Sequence, residues 1–143
     1  MKRLCDLLND KGREVWSLSP DATVYEAIEQ MAEKGVGALL VMEGKRLVGI
    51  VSERDYARKV ILKGKASREI QVCEIMSYPV ICAGLELTVE QTMTLMTDNH
   101  VRHLPVVVGE TVVGVISIGD VVRGIIEDKE FFIQQLTSYI TSA

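Results

Sequence analysis

The sequence predicts an α+β protein built from two copies of one strand–helix–strand–strand–helix unit. Two observations carry this prediction. First, placing Thr88-Val89 on Thr23-Val24 reveals a self-similarity at a shift of 65 residues that runs without a gap to the end of both copies. It superimposes Met31 on Met96, Val36 on Val101, Leu39 on Leu104, Gly44 on Gly109, Val48-Gly49 on Val113-Gly114, Ser52 on Ser117, Asp55 on Asp120 and Arg58 on Arg123. Second, each copy shows one stretch of helical periodicity followed by two short apolar runs around a glycine turn.

Taken in order, Leu4-Cys5-Asp6-Leu7-Leu8 matches Val72-Cys73-Glu74-Ile75-Met76 at a shift of 68, so each copy opens on a short amphipathic turn. The first copy then holds three extra residues around Asn9-Asp10-Lys11-Gly12. Thr23-Val24-Tyr25-Glu26 has the N-cap threonine and the glutamate three residues on that make a capping box, and Thr88-Val89-Glu90-Gln91 repeats it. Ala27, Ile28 and Met31 recur at helical spacing, and Gly35 stands at the C-cap. Ala38 to Met42, a turn at Gly44, and Leu47 to Val51 predict a hairpin; its counterpart is Leu104 to Val108, Gly109-Glu110 and Val112 to Ile116. A second helix starts at Ser52 and at Ser117. The polar stretch Gly64 to Glu69 is the linker. Glu127 to Ala143 is helical, with Phe131, Phe132, Leu136 and Ile140 as an apolar set that the repeat does not require. The expected division is 1–66, 67–127 and a C-terminal helix at 128–143. A copy of roughly 60 residues leaves much apolar surface uncovered, so the copies are expected to pack sheet on sheet about a pseudo-twofold axis, forming two related clefts.

The 143 residues are 48% hydrophobic and 25% charged, which is the composition of a globular domain rather than a disordered chain. A net charge of −4 argues against a nucleic-acid polymer as partner but leaves room for one small anion. No apolar run approaches the ~20 residues that span a bilayer, and Asp6 interrupts any signal-peptide core, so the expected compartment is the cytoplasm. Cys5, Cys73 and Cys82 are odd in number and lack CxxC spacing, which fits reduced thiols rather than a disulfide framework or a zinc site. His100 and His103 are the only histidines, and there is no Gly-rich phosphate loop, Gly-x-Ser-x-Gly or metal-ligand cluster. The sequence is therefore read as non-enzymatic, with no catalytic residues, no metal and no catalytic cofactor.

Both Gly49-Ile50-Val51-Ser52-Glu53-Arg54-Asp55 and Gly114-Val115-Ile116-Ser117-Ile118-Gly119-Asp120 read Gly-apolar-apolar-Ser-x-x-Asp at the join of a strand and a helix. Ser-x-x-Asp is by itself a helix N-cap with an acid in the first turn, worth ~1 kcal/mol. The same geometry serves recognition: a helix N-terminus offers free N–H groups, and a carboxylate beside it can accept both hydroxyls of a ribose diol.

With these motifs and Arg102-His103-Leu104-Pro105-Val106, nearly the whole chain resembles a tandem pair of cystathionine-β-synthase (CBS) domains, the Bateman module that senses adenine nucleotides. It is similar in particular to the small stand-alone CBS-pair proteins of bacteria and plant organelles. The resemblance implies that Asp55 and Asp120 hold ribose hydroxyls, with Ser52 and Ser117 lining the same pockets. It implies that Ser17 reaches the ligand held by the opposite copy's Asp, and that Arg102 and His103 touch phosphate. The copies differ at these places: Gly37 and Ala38 stand where the second has Arg102 and His103, and Cys82 stands where the first has Ser17. The cleft with Ser17, Arg102, His103, Ser117 and Asp120 is expected to prefer AMP or a related nucleotide. The cleft with Ser52 and Asp55 has only Arg54 and neighbours such as Arg58 and Lys59 as cations. Two functions follow. One is a regulatory module that binds AMP, ATP or NAD(H) and modulates an unidentified protein; the alternative is a ligand-independent dimerisation or scaffold protein. In either case a homodimer is expected, with no nucleic-acid or membrane partner.

Overall fold

The computed structural model describes residues 1–141. In chain order the elements are α1 (Leu4–Lys11), β1 (Ser17–Leu18), α2 (Val24–Lys34), β2 (Ala38–Glu43), β3 (Arg46–Ser52), α3 (Glu53–Tyr56), α4 (Val89–Asn99), β4 (His103–Val108), β5 (Thr111–Ser117) and α5 (Ile118–Thr141). A π-helical turn, Ala57–Ile61, follows α3, and a 3₁₀ turn spans Val72–Glu74. The chain forms two compact units, one of Val15–Val80 and one of Met1–Glu14 with Ile81 onward.

In the unit of residues 15–80, β1 pairs parallel with β2 and β2 antiparallel with β3. The capping box that begins α2 is formed: Glu26 N–H donates to Thr23 Oγ1 at 3.1 Å, and Thr23 N–H donates to Glu26 Oε2 at 3.2 Å. Gly35 ends the helix in the left-handed conformation, φ 66°. Val24, Ala27 and Met31 of α2 pack on Leu39, Val41 and Val51 of the sheet, and Val60, Ile70, Val72 and Ile75 close the core.

The second unit repeats this plan with three differences. Its first strand is reduced to one parallel bridge, in which Ala83 N–H donates to the Pro105 carbonyl and Val107 N–H to the Ala83 carbonyl. α4 has the same capping box, with Thr88 and Gln91 paired at 3.1 and 3.0 Å, but it ends on His100 at φ 53°, one of the few non-glycine types enriched there. Lastly, the helix after β5 is not the one-turn α3 of the first copy but 24 continuous residues. The helix expected as a separate element at 128–143 is thus the distal part of α5, and Ser142 and Ala143 lie outside the described residues. β4 and β5 keep the register of β2 and β3 down to the irregularity, which falls between Val41 and Met42 in one hairpin and between Val106 and Val107 in the other.

The unit boundaries are not the sequential ones at 66/67, because each copy's opening turn belongs to the core of the other. Leu4, Leu7 and Leu8 of α1 pack with Val89, Met96, Leu104, Val106 and Ile116. Leu4 and Cys5 N–H groups donate to the Leu87 and Leu85 carbonyls, and Val89 N–H donates to the Lys2 carbonyl. The 3₁₀ turn makes the equivalent bonds: Val72 and Cys73 N–H groups donate to Ala22 and Pro20, and Val24 N–H donates to Ile70. The motif glycines make this packing sterically possible. A Cβ on Gly114 would lie 2.6 Å from Leu8 Cδ2, and one on Gly49 would lie 2.4 Å from Met76 Sδ. Leu8 and Met76 are repeat equivalents, so the same close approach is built twice.

Candidate functional site

Each Ser-x-x-Asp motif forms a strand–helix junction. In the unit containing α5, the antiparallel pairing sets His103 opposite Ser117, and Ile118 N–H donates to the Arg102 carbonyl at 2.9 Å. In the other unit Ala38 lies opposite Ser52, and Glu53 N–H donates to the Gly37 carbonyl at 3.0 Å. The backbones are equivalent, so any chemical difference between the junctions comes from side chains.

Both aspartates cap their helices. Asp120 N–H donates to Ser117 Oγ at 3.2 Å, and Ser117 N–H donates to Asp120 Oδ2 at 2.8 Å. The corresponding distances at Ser52 and Asp55 are 3.2 and 3.0 Å. The cations differ. Lys11 Nζ, carried by α1, donates to Asp120 Oδ2 at 2.7 Å and to the Val115 carbonyl at 2.9 Å, while Arg123 Nη2 donates to Asp120 Oδ1 at 2.5 Å. Asp55 instead pairs with Lys59, one helical turn on, at 3.3 Å; that lysine also donates to the Ile75 carbonyl.

Asp120 is 7% exposed. Burial would raise its pKa, but the Lys11 hydrogen bond and then the Ser117 N–H outweigh that and hold it below the usual 3.8, so it is an anion at neutral pH. His103 is half-buried, and its pKa is lowered first by that burial, then by the positive charge of Lys11, with Arg102 adding to the effect and Asp120 opposing it. His103 is therefore neutral at pH 7, a donor and an acceptor at once.

Within this unit the structure brings together Arg102, His103, Ser117 and Asp120 of the sequence-predicted set. The unit of residues 15–80 brings together Gly37, Ala38, Ser52 and Asp55, with Arg54 exposed in α3. Ser17 is in β1 of that same unit, and Cys82 is half-buried in the other unit beside the Ala83 bridge, its thiol pKa raised by burial. Sequence reasoning missed Lys11 and Arg123. Lys11 falls in the three-residue excess of the first copy and is 109 positions from Asp120, so spacing could not find it. Arg123 was visible only as the repeat partner of Arg58. Among the described residues no group of histidine, cysteine or acidic side chains could hold a metal, and no helix is long and apolar enough to cross a membrane.

The family model for the CBS domain matches residues 11–62 and 72–127. The chain belongs to the CBS domain family. The chain is similar to the CBS domain-containing protein CBSX3, mitochondrial, of Arabidopsis thaliana, at 38% identity over 96% of this chain and 71% of that protein. Among solved structures it is similar to a putative signal-transduction protein with CBS domains from Burkholderia ambifaria, at 43% identity and TM-score 0.85, covering 89% of this chain and 96% of that one. It is also similar to the CBS domain protein PAE2072 of Pyrobaculum aerophilum, complexed with AMP, at 29% identity and TM-score 0.74, covering 83% and 89%. This chain holds two CBS domains, and the fold class read from the repeat stands.

Proposed function

We propose that this CBS pair is a non-catalytic sensor of adenine nucleotides that uses the Ser117–Asp120 junction to bind its ligand and thereby modulates a partner protein. The observation that carries the reading is the concentration of charge at one junction. An anionic, nearly buried Asp120 is the diol acceptor, and Lys11, Arg102 and Arg123 with neutral His103 supply donors for phosphate, whereas Gly37 and Ala38, the equivalents of Arg102 and His103, supply none. AMP in the related Pyrobaculum protein supports an adenosine ligand; AMP, ATP and NAD(H) all present the ribose and phosphate that this junction suits. Regulation requires only that the ligand bind one arrangement of the protein better than another.

The test is calorimetry with adenosine and 2′,3′-dideoxyadenosine on wild type and Asp120→Asn. Wild type is expected to prefer adenosine. The Asn side chain has one acceptor oxygen and turns an NH₂ toward a donor, so losing charge-assisted bonds of ~1.5–3 kcal/mol each lowers adenosine affinity more than tenfold. Because the two ligands are compared within one variant, any loss of helix capping cancels. An Asp120→Asn protein that separates the two ligands as wild type does overturns the ribose assignment and favours the scaffold reading.

A further inference from the structure

Asp120 is held by two cations that are not equally fixed. Lys11 has a second anchor, the Val115 carbonyl, and its side chain is 38% exposed. Among the described residues Arg123 bonds to the other oxygen, Oδ1, and is 66% exposed. Oδ2 already takes the Ser117 N–H and Lys11, so Oδ1 is the oxygen on which an incoming hydroxyl must find room, and the Arg123 guanidinium stands there.

We propose that Arg123 is a specificity-determining residue that competes with the ligand for Asp120, excluding uncharged nucleosides in favour of phosphate-bearing ones. The inference rests on the ribose reading above and gives Arg123 a role beyond that of a phosphate donor, as a competitor for the diol acceptor. With both acceptor sites of Oδ2 taken, a nucleoside diol that places both hydroxyls on Oδ1 displaces the Arg123 guanidinium and gives it nothing in return. A nucleotide brings its own anion, on which the freed guanidinium can re-form charge-assisted bonds. Lys11, fixed by the β5 carbonyl, stays in place and keeps the carboxylate ionised in either case. The other unit does not share the device, since Asp55 is paired with Lys59, itself anchored to the Ile75 carbonyl.

Calorimetry of adenosine and AMP on wild type, Arg123→Met and Asp120→Asn tests this. Removing a largely exposed competing ion pair is expected to tighten adenosine about two- to fivefold. AMP is expected not to gain, so the AMP-over-adenosine preference falls by at least the same factor. Arg123 lies outside the buried core, and an unchanged melting curve verifies that Arg123→Met is folded. If Asp120→Asn loses adenosine while Arg123→Met binds it no better than wild type, the competition is refuted and the ribose reading survives. If Asp120→Asn keeps wild-type adenosine affinity, the ribose reading falls and this inference falls with it.

Discussion

Gly114→Ala should damage the protein through α1. The added Cβ would sit 2.6 Å from Leu8 Cδ2, 2.8 Å from Cδ1 and 3.3 Å from Cγ, against an optimal carbon–carbon separation of ~3.5–4.0 Å. Leu8 has no exposed surface, so it must retreat by roughly 1 Å into a packed core, the kind of overpacking that costs ~1–3 kcal/mol. For a chain of this size that corresponds to a melting temperature lower by about 3–9 °C. Lys11 lies three residues beyond Leu8 on the same helix, so the retreat also strains the Lys11–Asp120 bond and should weaken nucleotide binding. Leu8→Ala alone should cost ~2–5 kcal/mol. In the double variant the new methyl enters the space that the leucine vacated, so its stability should be close to that of Leu8→Ala alone, a coupling of ~1–3 kcal/mol. Gly119→Ala is the control, because its Cβ meets nothing nearer than Arg123 Nη1 at 3.6 Å and it should be tolerated. Urea and thermal denaturation of wild type and the four variants measure all of this. Strict additivity of Gly114→Ala and Leu8→Ala, or a Gly114→Ala protein as stable as wild type, would refute the close-approach argument.

Two other outcomes are expected. The His103 pKa is lowered on folding, so between that value and the usual 6.5 the unfolded chain binds the extra proton and stability rises with pH; denaturation between pH 5 and 8 should show this slope in wild type and a flatter one in His103→Gln, and equal slopes would show that His103 does not titrate differently on folding. The exposed face of α5, with Phe132 at 63%, Leu136 at 48% and Ile140 at 71%, should pair with a second copy, so light scattering should give a dimer mass that Leu136→Glu reduces to a monomer; a wild-type monomer well above micromolar concentration would contradict this.

The repeat, both capping boxes, the Gly35 cap and both hairpins were legible because each depends on residues close in sequence. That His103 and Ser117 share a junction came only from the family resemblance; their direct pairing depends on the bulge between Val106 and Val107, without which the turn would set His103 opposite Ile116. What could not be read is which core each opening turn joins. The apolar pattern of Leu4, Leu7 and Leu8 says that they are buried, but two cores built on one repeated plan offer similar apolar surface. The choice is settled only when α1 meets Gly114 and the 3₁₀ turn meets Gly49. Lys11 was hidden for the same reason, because its role exists only once α1 is placed. The reduction of the second copy's first strand to a bridge at Ala83 left no mark in the alignment.

The presence of an aspartate at both junctions favours ligand binding only if the residue has no other reason to be there. Asp55 and Asp120 both close capping boxes with their serines at nearly equal distances, and helix capping alone is worth ~1 kcal/mol. Stability therefore accounts for the motif twice, with or without a ligand. What capping does not account for is the asymmetry: Arg102 and His103 in place of Gly37 and Ala38, and Lys11 and Arg123 converging on Asp120 where a single lysine pairs with Asp55. These side chains sit on backbones that share one register and one bulge, so they can differ without altering the fold. Lys11 and Arg123 both bond to this one nearly buried carboxylate, whereas Asp55 pairs with Lys59. It is this asymmetry, rather than the repeated aspartate, on which the proposed binding role of the junction rests.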